Sequence, residues 1–287
     1  MCQKQMQNNK DKKQMIKKIL LLSLLPIWLF ANPKVLFING THPSKSKENH
    51  IGKNLKRVNI EVEFKSLGSL KKEQNLSYAL YDMVVLDGVN GRRSKELFEK
   101  IQPQIKSTVK KMIALNVVDK NDTKWRKGIS YEAHKSIHDY LANGGAKNFA
   151  SFADFMANDI FKLSDKEADK ALIYPKTAIY HPKSAEMFDS LDAYLKFMGK
   201  ENSTDALIGV AMYQSNFGNV DSKVIDETVK RLEKIEGVTP VAFYYAYDFS
   251  PKATKIPYKE LLSINGEFKL GAMMFFQMMH QGNKRRK

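Results

Sequence analysis

The side chains with the widest chemical reach in this sequence are six histidines and a few carboxylates that close apolar runs. His134 and His138 stand four apart in a stretch with helical spacing, which puts two imidazoles on one helix face, as in a two-point metal clamp. No third ligand is identifiable beside them, and Glu132 does not complete an H-E-x-x-H order, so the competing reading is a solvated helix face. Asp87 and Asp119 each end an apolar run. Carboxylates there can act as ligands or as acid and base, but without a partner they serve turns and helix caps. Asn39 closes the first such run. Tyr180 and His181, just before Pro182, sit at a turn ahead of a helix. Tyr180 reads as a ligand contact, and His181 either as a contact to a ligand or metal or as a histidine hydrogen-bonded to fix the entry to that domain. His42 and His50 read as surface residues after the first run, and His280 falls near the end.

The sulfur inventory narrows the chemistry. Lys10 to Lys18 is basic, Ile19 to Phe30 is apolar, and Ala31 precedes Asn32-Pro33, the order of a signal peptide cut after Ala31. The apolar run falls short of the roughly 20 residues a membrane span needs, which favours cleavage, and an uncleaved N-terminal anchor is the alternative because Leu29 is bulky for the −3 position. The expected location is therefore the periplasm, with any membrane contact made only through that segment. Cys2 is the single cysteine and lies within it. A processed chain would hold no disulfide, thiolate metal site or cysteine nucleophile.

The elements that must position these residues alternate between two patterns. Lys34–Asn39, Ile60–Phe64, Met83–Asp87 and Lys111–Val118 read as strands, separated by helical stretches at 46–55, 70–81 and 94–109. Short apolar runs between helices predict a parallel sheet covered on both faces. Asn39-Gly40, Asp87-Gly88 and Asp119 then fall on its carboxyl edge, where open α/β folds bind ligands. No G-x-G-x-x-G or P-loop pattern is present, so a dinucleotide or P-loop nucleotide site is not supported. Helices are predicted at 131–141 and 149–161, then at 185–198. Strand 206–213, amphipathic helix 222–235 and strand 241–245 form a βαβ unit with a right-handed crossover. The fold class is α/β: two Rossmann-like units, each a parallel sheet with helices on both faces, joined by a helical segment, the second reading as incomplete. The expected boundaries are a signal peptide at 1–31, a first α/β domain at 32–121, a helical connector at 122–178 and a second α/β domain at 179–287.

Four blocks in the second half occur in a specific order: Ile179-Tyr-His-Pro182, Phe188 to Leu195, Ile208 to Ser215, and, after Val224-Ile-Asp226 and Gly237, Pro240-Val-Ala-Phe243. In this order and spacing they resemble the large subunit of the cobaltochelatase and magnesium-chelatase family, the CobN type. Lys183 departs from the acidic residue common after His-Pro in that family. The resemblance implies insertion of cobalt or magnesium into a tetrapyrrole, with ATP hydrolysed on separate partner subunits and no cofactor resident in this chain. It carries over no catalytic residue. His181, Tyr180, Asp87 and Asn39 remain the expected ligand contacts, and His134 and His138 the metal candidates.

The charge balance, 47 Lys+Arg against 31 Asp+Glu, suggests nucleic acid at first sight. Removing +5 contributed by residues 1–31 and +4 by Lys284 to Lys287 leaves +7 of the formal +16. No base-reading module accompanies it, so no nucleic-acid partner is expected. The expected role is a binding or scaffold part of a chelatase subunit, inactive alone. The alternative is a periplasmic solute-binding protein with two α/β lobes for a metal, tetrapyrrole or other small ligand.

Overall fold

The computed structural model describes residues 31–40, 44–70, 76–89, 91, 94–184, 186–245 and 257–276. Residues 1–30 of the expected signal segment, His42, His280 and the basic tail lie outside these residues. From Lys34 onward the chain forms one compact unit.

β1 (Lys34–Asn39) leads through Ser44 into α1 (Lys45–Arg57), whose first turn is closed by the Ser44 hydroxyl accepting from the Lys47 N–H at 3.3 Å. Glu48, Ile51 and Leu55 form its buried face. β2 (Glu61–Ser66), the single turn α2 (Leu67–Leu70), β3 (Met83–Asp87), α3 (Lys95–Thr108), β4 (Lys111–Ala114) and the two-residue β5 (Arg126–Lys127) complete the first sheet. Its order is β2-β1-β3-β4-β5, parallel except for β5. Alternate residues of the strands enter opposite cores. Val35, Phe37, Met83 and Val85 join one, and Leu36, Ile38, Val84 and Leu86 the other. Burial on both faces is why these strands are near-continuous apolar runs instead of alternating ones.

α4 (Tyr131–Asn143) and α5 (Gly145–Phe155), extended by a π turn at Met156–Ile160, supply Ile137, Tyr140, Phe149 and Phe152 to the first of those cores. The stretch expected as a connector thus covers a face of the first sheet. Residues 162–176 run without regular secondary structure along α4 and α5. They are pinned by Asn148, which donates to the Leu172 carbonyl and accepts from its N–H, both at 2.8 Å, and by the Tyr140 hydroxyl on the Asp169 carbonyl at 2.7 Å.

The second sheet has the order β11-β7-β8-β6. Its elements in chain order are β6 (Thr177–Tyr180), α6 (Leu191–Met198), β7 (Ala206–Met212), α7 (Gln214–Gly218), α8 (Lys223–Leu232), β8 (Val238–Tyr245), α9 (Pro257–Leu261), the hairpin β9 (Ser263–Ile264) and β10 (Glu267–Phe268), and β11 (Ala272–Phe275). β7 is parallel to β8 and β11, whereas β6 runs antiparallel to β8.

Three predicted elements are corrected. Of the helix expected at 70–81, residues 71–75 lie outside the described residues, and Tyr78–Leu80 is a 3₁₀ turn, which turns the buried rings of Tyr78 and Tyr81 to the same side at a three-residue spacing. The strand expected to reach Val118 stops at Ala114, where the chain turns back and the Ala114 N–H donates to the Trp125 carbonyl at 3.0 Å. The helix expected from 185 begins at Leu191, because Phe188 is bridged to Ile179 through two backbone hydrogen bonds and Ser190 caps the helix. Among the described residues no helix is long and apolar enough to cross a membrane.

Candidate functional site

β1 and β3 are neighbours, and Asn39 and Asp87 face each other at the ends of the two strands. β2 lies on the far side of β1, so the strand order reverses between β1 and β3. That reversal opens a crevice at their carboxyl ends, the usual ligand position of open α/β sheets. Glycines follow both residues. The Gly40 N–H donates to the Asp87 carbonyl at 2.7 Å, and a Cβ at Gly40 would lie 2.9 Å from the Phe98 ring and 3.0 Å from the Gly88 carbonyl. Gly88 has φ +85°, which strains any residue with a side chain. The two loops therefore pack backbone to backbone at the crevice rim.

The first turn of α1 forms the opposite wall. Glu48 is 8% exposed, a position that costs a carboxylate its hydration. It is compensated by the Asn39 amide, which donates at 3.1 Å, and by the Lys45 ammonium at 2.6 Å. Lys47 reaches Asp87 at 3.6 Å and ties α1 to β3. Phe37, Ile51 and Phe64 supply apolar lining, and Asn219, from the corner after α7, completes a cleft of about 270 Å³. That corner is held by the Ser46 hydroxyl donating to the Val220 carbonyl at 2.8 Å. It is also held by contact of Gly218 with Gly144, where a Cβ would fall 2.0 Å from the Gly218 carbonyl oxygen. The cleft presents amides, an ammonium and two carboxylates beside apolar rings. Its volume lies at the lower edge of small-molecule sites, about 300–1,000 Å³. It suits a small polar ligand or one polar arm of a larger one.

The Tyr180 and His181 pair is built differently. His181 is fully buried, its Nδ1 accepts from the Lys183 N–H at 3.1 Å, and its Nε2 lies 3.3 Å from Glu233 Oε1. Because a backbone N–H can only donate, the proton sits on Nε2 and is directed to Glu233, which leaves neither nitrogen open to a ligand. Burial lowers the His181 pKa, with Glu233 opposing that shift. Tyr180 donates to Asp226 at 2.9 Å, and burial pushes its pKa up to about 12. Neither residue lines the cleft at Asn39 and Asp87.

His134 is also fully buried, which contradicts a solvated helix face at that position. Its Nε2 meets the Ala114 carbonyl at 2.9 Å, and its Nδ1 has no partner. His138 is partly exposed and bonds Asp139 at 3.3 Å. No group of three or more His, Cys, Asp or Glu side chains suited to a metal ion occurs among the described residues. Asp119 accepts from the Asn121 N–H at 2.8 Å in a local turn, and His50 is half-buried on α1. Lys47, Glu48 and Asn219 escape a reading of motifs. Glu48 alone left a signal, since it precedes the buried Ile51 and Leu55 by three and seven residues and so shares their helix face.

The family model of CobN/magnesium chelatase matches residues 138–287, more than half of the chain. It takes in α5 and the second sheet, and so extends beyond the four blocks within 179–245. Among solved structures, the catalytic subunit of cobaltochelatase from Mycobacterium tuberculosis is similar at 12% identity and a TM-score of 0.43, covering 75% of this chain and 16% of that one. The chain thus spans about one sixth of the length of that relative. No curated protein matches the sequence.

Proposed function

The chain belongs to the CobN/magnesium chelatase family, and from that premise we propose that it is a binding and scaffold part of a chelatase subunit, one that holds a polar arm of a tetrapyrrole. Cobalt or magnesium is then the substrate, and ATP is hydrolysed on partner subunits. The observation that carries this reading is the cleft at the strand-order reversal, assembled from both parts of the chain. Asn39, Lys47 and Asp87 come from outside the family match, and Leu141 and Asn219 from inside it. A tetrapyrrole carries carboxylate or amide arms on an apolar ring. Lys47, Asn39 and Asn219 offer donors to such an arm, while a space of about 270 Å³ leaves the ring itself outside. With the expected export signal, the protein would handle its macrocycle outside the cytoplasm, during uptake.

Titration with a corrin and with haem, followed by visible absorbance, tests the reading. A saturable spectral shift is expected, weakened about 2- to 10-fold by Asn39→Ala, the value of one lost hydrogen bond. No shift with either macrocycle overturns it.

A second reading, a two-lobed solute-binding protein, is favoured by the corner after α7 reaching the carboxyl edge of the first sheet through Asn219. It predicts that bound ligand compacts the protein in small-angle scattering, which the scaffold reading does not.

A further inference from the structure

A second recess lies away from the cleft, between α5 and the segment 162–176. Lys147, Ala150, Ser151 and Asp154 share one face of α5 and line it, and Lys166 and Lys170 line it from the segment, with Arg57 from the end of α1. Its volume is about 500 Å³, well within the range of small-molecule sites.

Charge sets its character. Four cations, Arg57, Lys147, Lys166 and Lys170, meet two carboxylates, Asp154 and Asp169, an excess of two positive charges. Asp154 is nearly buried and accepts from Arg57 at 2.8 Å and Lys166 at 2.6 Å, so those two cations are held in place by one anchor. Arg57 also donates to the Ala150 carbonyl at 3.2 Å. Lys147 and Lys170 are exposed and stand in no ion pair among the described residues. Converging cations repel one another, and an anion bound between them relieves that repulsion.

We propose that this recess binds a small polyanion carrying at least two negative charges, with Lys147 and Lys170 as the free cations and Arg57 and Lys166 fixed by Asp154. A polyphosphate and a polycarboxylate share the required chemistry. The aliphatic lining from Ala150 and Leu172 accepts an apolar stem beside the charges. This site stands independently of the cleft at Asn39 and Asp87.

Calorimetric titration of the full chain with inorganic pyrophosphate, and separately with citrate, tests the proposal. Saturable binding at one site is expected, and the tighter probe identifies the anion class. The double substitution Lys147→Ala/Lys170→Ala should weaken it about ten-fold, the loss of two solvent-screened charge contacts. Lys147→Arg/Lys170→Arg should retain it, and Lys196→Ala, on α6, should leave it unchanged. Thermal melting of each variant checks that the fold persists. The proposal is overturned if both probes bind more weakly than about 1 mM, or if the alanine pair and Lys196→Ala bind alike.

Discussion

Glu48 and His134 are both buried polar side chains, and their surroundings assign them different costs. Glu48 keeps its charge compensated by Asn39 and Lys45. His134 has one nitrogen bonded to Ala114 and the other bare, and burial lowers its pKa, with Arg126 and His138 acting in the same direction. The folded protein therefore holds His134 neutral to lower pH than the unfolded chain, whose histidines take up a proton near about pH 6.5. His181 shifts the same way. Stability is accordingly full above that pH and falls below it, by up to about 1.4 kcal/mol per pH unit for each histidine. Urea unfolding at about pH 7.5 and about pH 5.5 should show this loss, and His134→Gln, which keeps a donor for Ala114 but cannot titrate, should make it shallower. An unchanged pH dependence in the variant would remove His134 from the account. The residues at strand ends, Asn39 and Asp87, were legible because an apolar run that stops at a polar residue before glycine marks a sheet edge. Lys47 and Asn219 were not, since their arrival depends on the phase of α1 and on a tertiary approach that no local pattern encodes.

Among the elements, those with long uniform signals were readable and the short or shared ones were not. β1, β3, β7 and β8 are apolar runs of five to eight residues, and each is a strand. β6 is four residues long and passes directly into a turn, so its sequence reads as the approach to a helix. β11 lies in a methionine-rich run whose periodicity fits either state. The corner between α4 and α5 shows how an element boundary can depend on a distant one. Gly144 has φ +64° and no room for a Cβ against Gly218, whereas Gly199, at the end of α6, has the same φ and nothing within 4 Å. Gly199→Ala should cost about 1 kcal/mol, the price of a left-handed alanine. Gly144→Ala should cost about 3 kcal/mol or more, because α7 must move away from the corner. Equal losses in thermal melts would show that the Gly144 contact with Gly218 carries no strain.

Across the whole molecule, each of the two larger sheets is sandwiched by two apolar cores, and the helices of residues 131–160 cover the first sheet while α7 reaches back to its carboxyl edge. The α/β class and the parallel strands were legible from alternation along the chain. The meeting of the two halves at Asn219 was not, because it is set by the close approach of two glycines over 70 residues apart in sequence. The place of β11 also sets an order of events during synthesis. β7 pairs on one side with β8, but its other edge is covered, among the described residues, only by β11, sixty residues after β7 ends. At roughly 5–20 residues per second, that edge stays bare on the ribosome for about 3–12 s, a row of unpaired backbone groups open to any strand nearby. A chain ended after Phe268 would keep it bare permanently and should partition into the insoluble fraction on expression. The nascent protein is therefore most vulnerable to pairing with a neighbouring copy in the seconds before β11 emerges, and slower translation there lengthens the hazard.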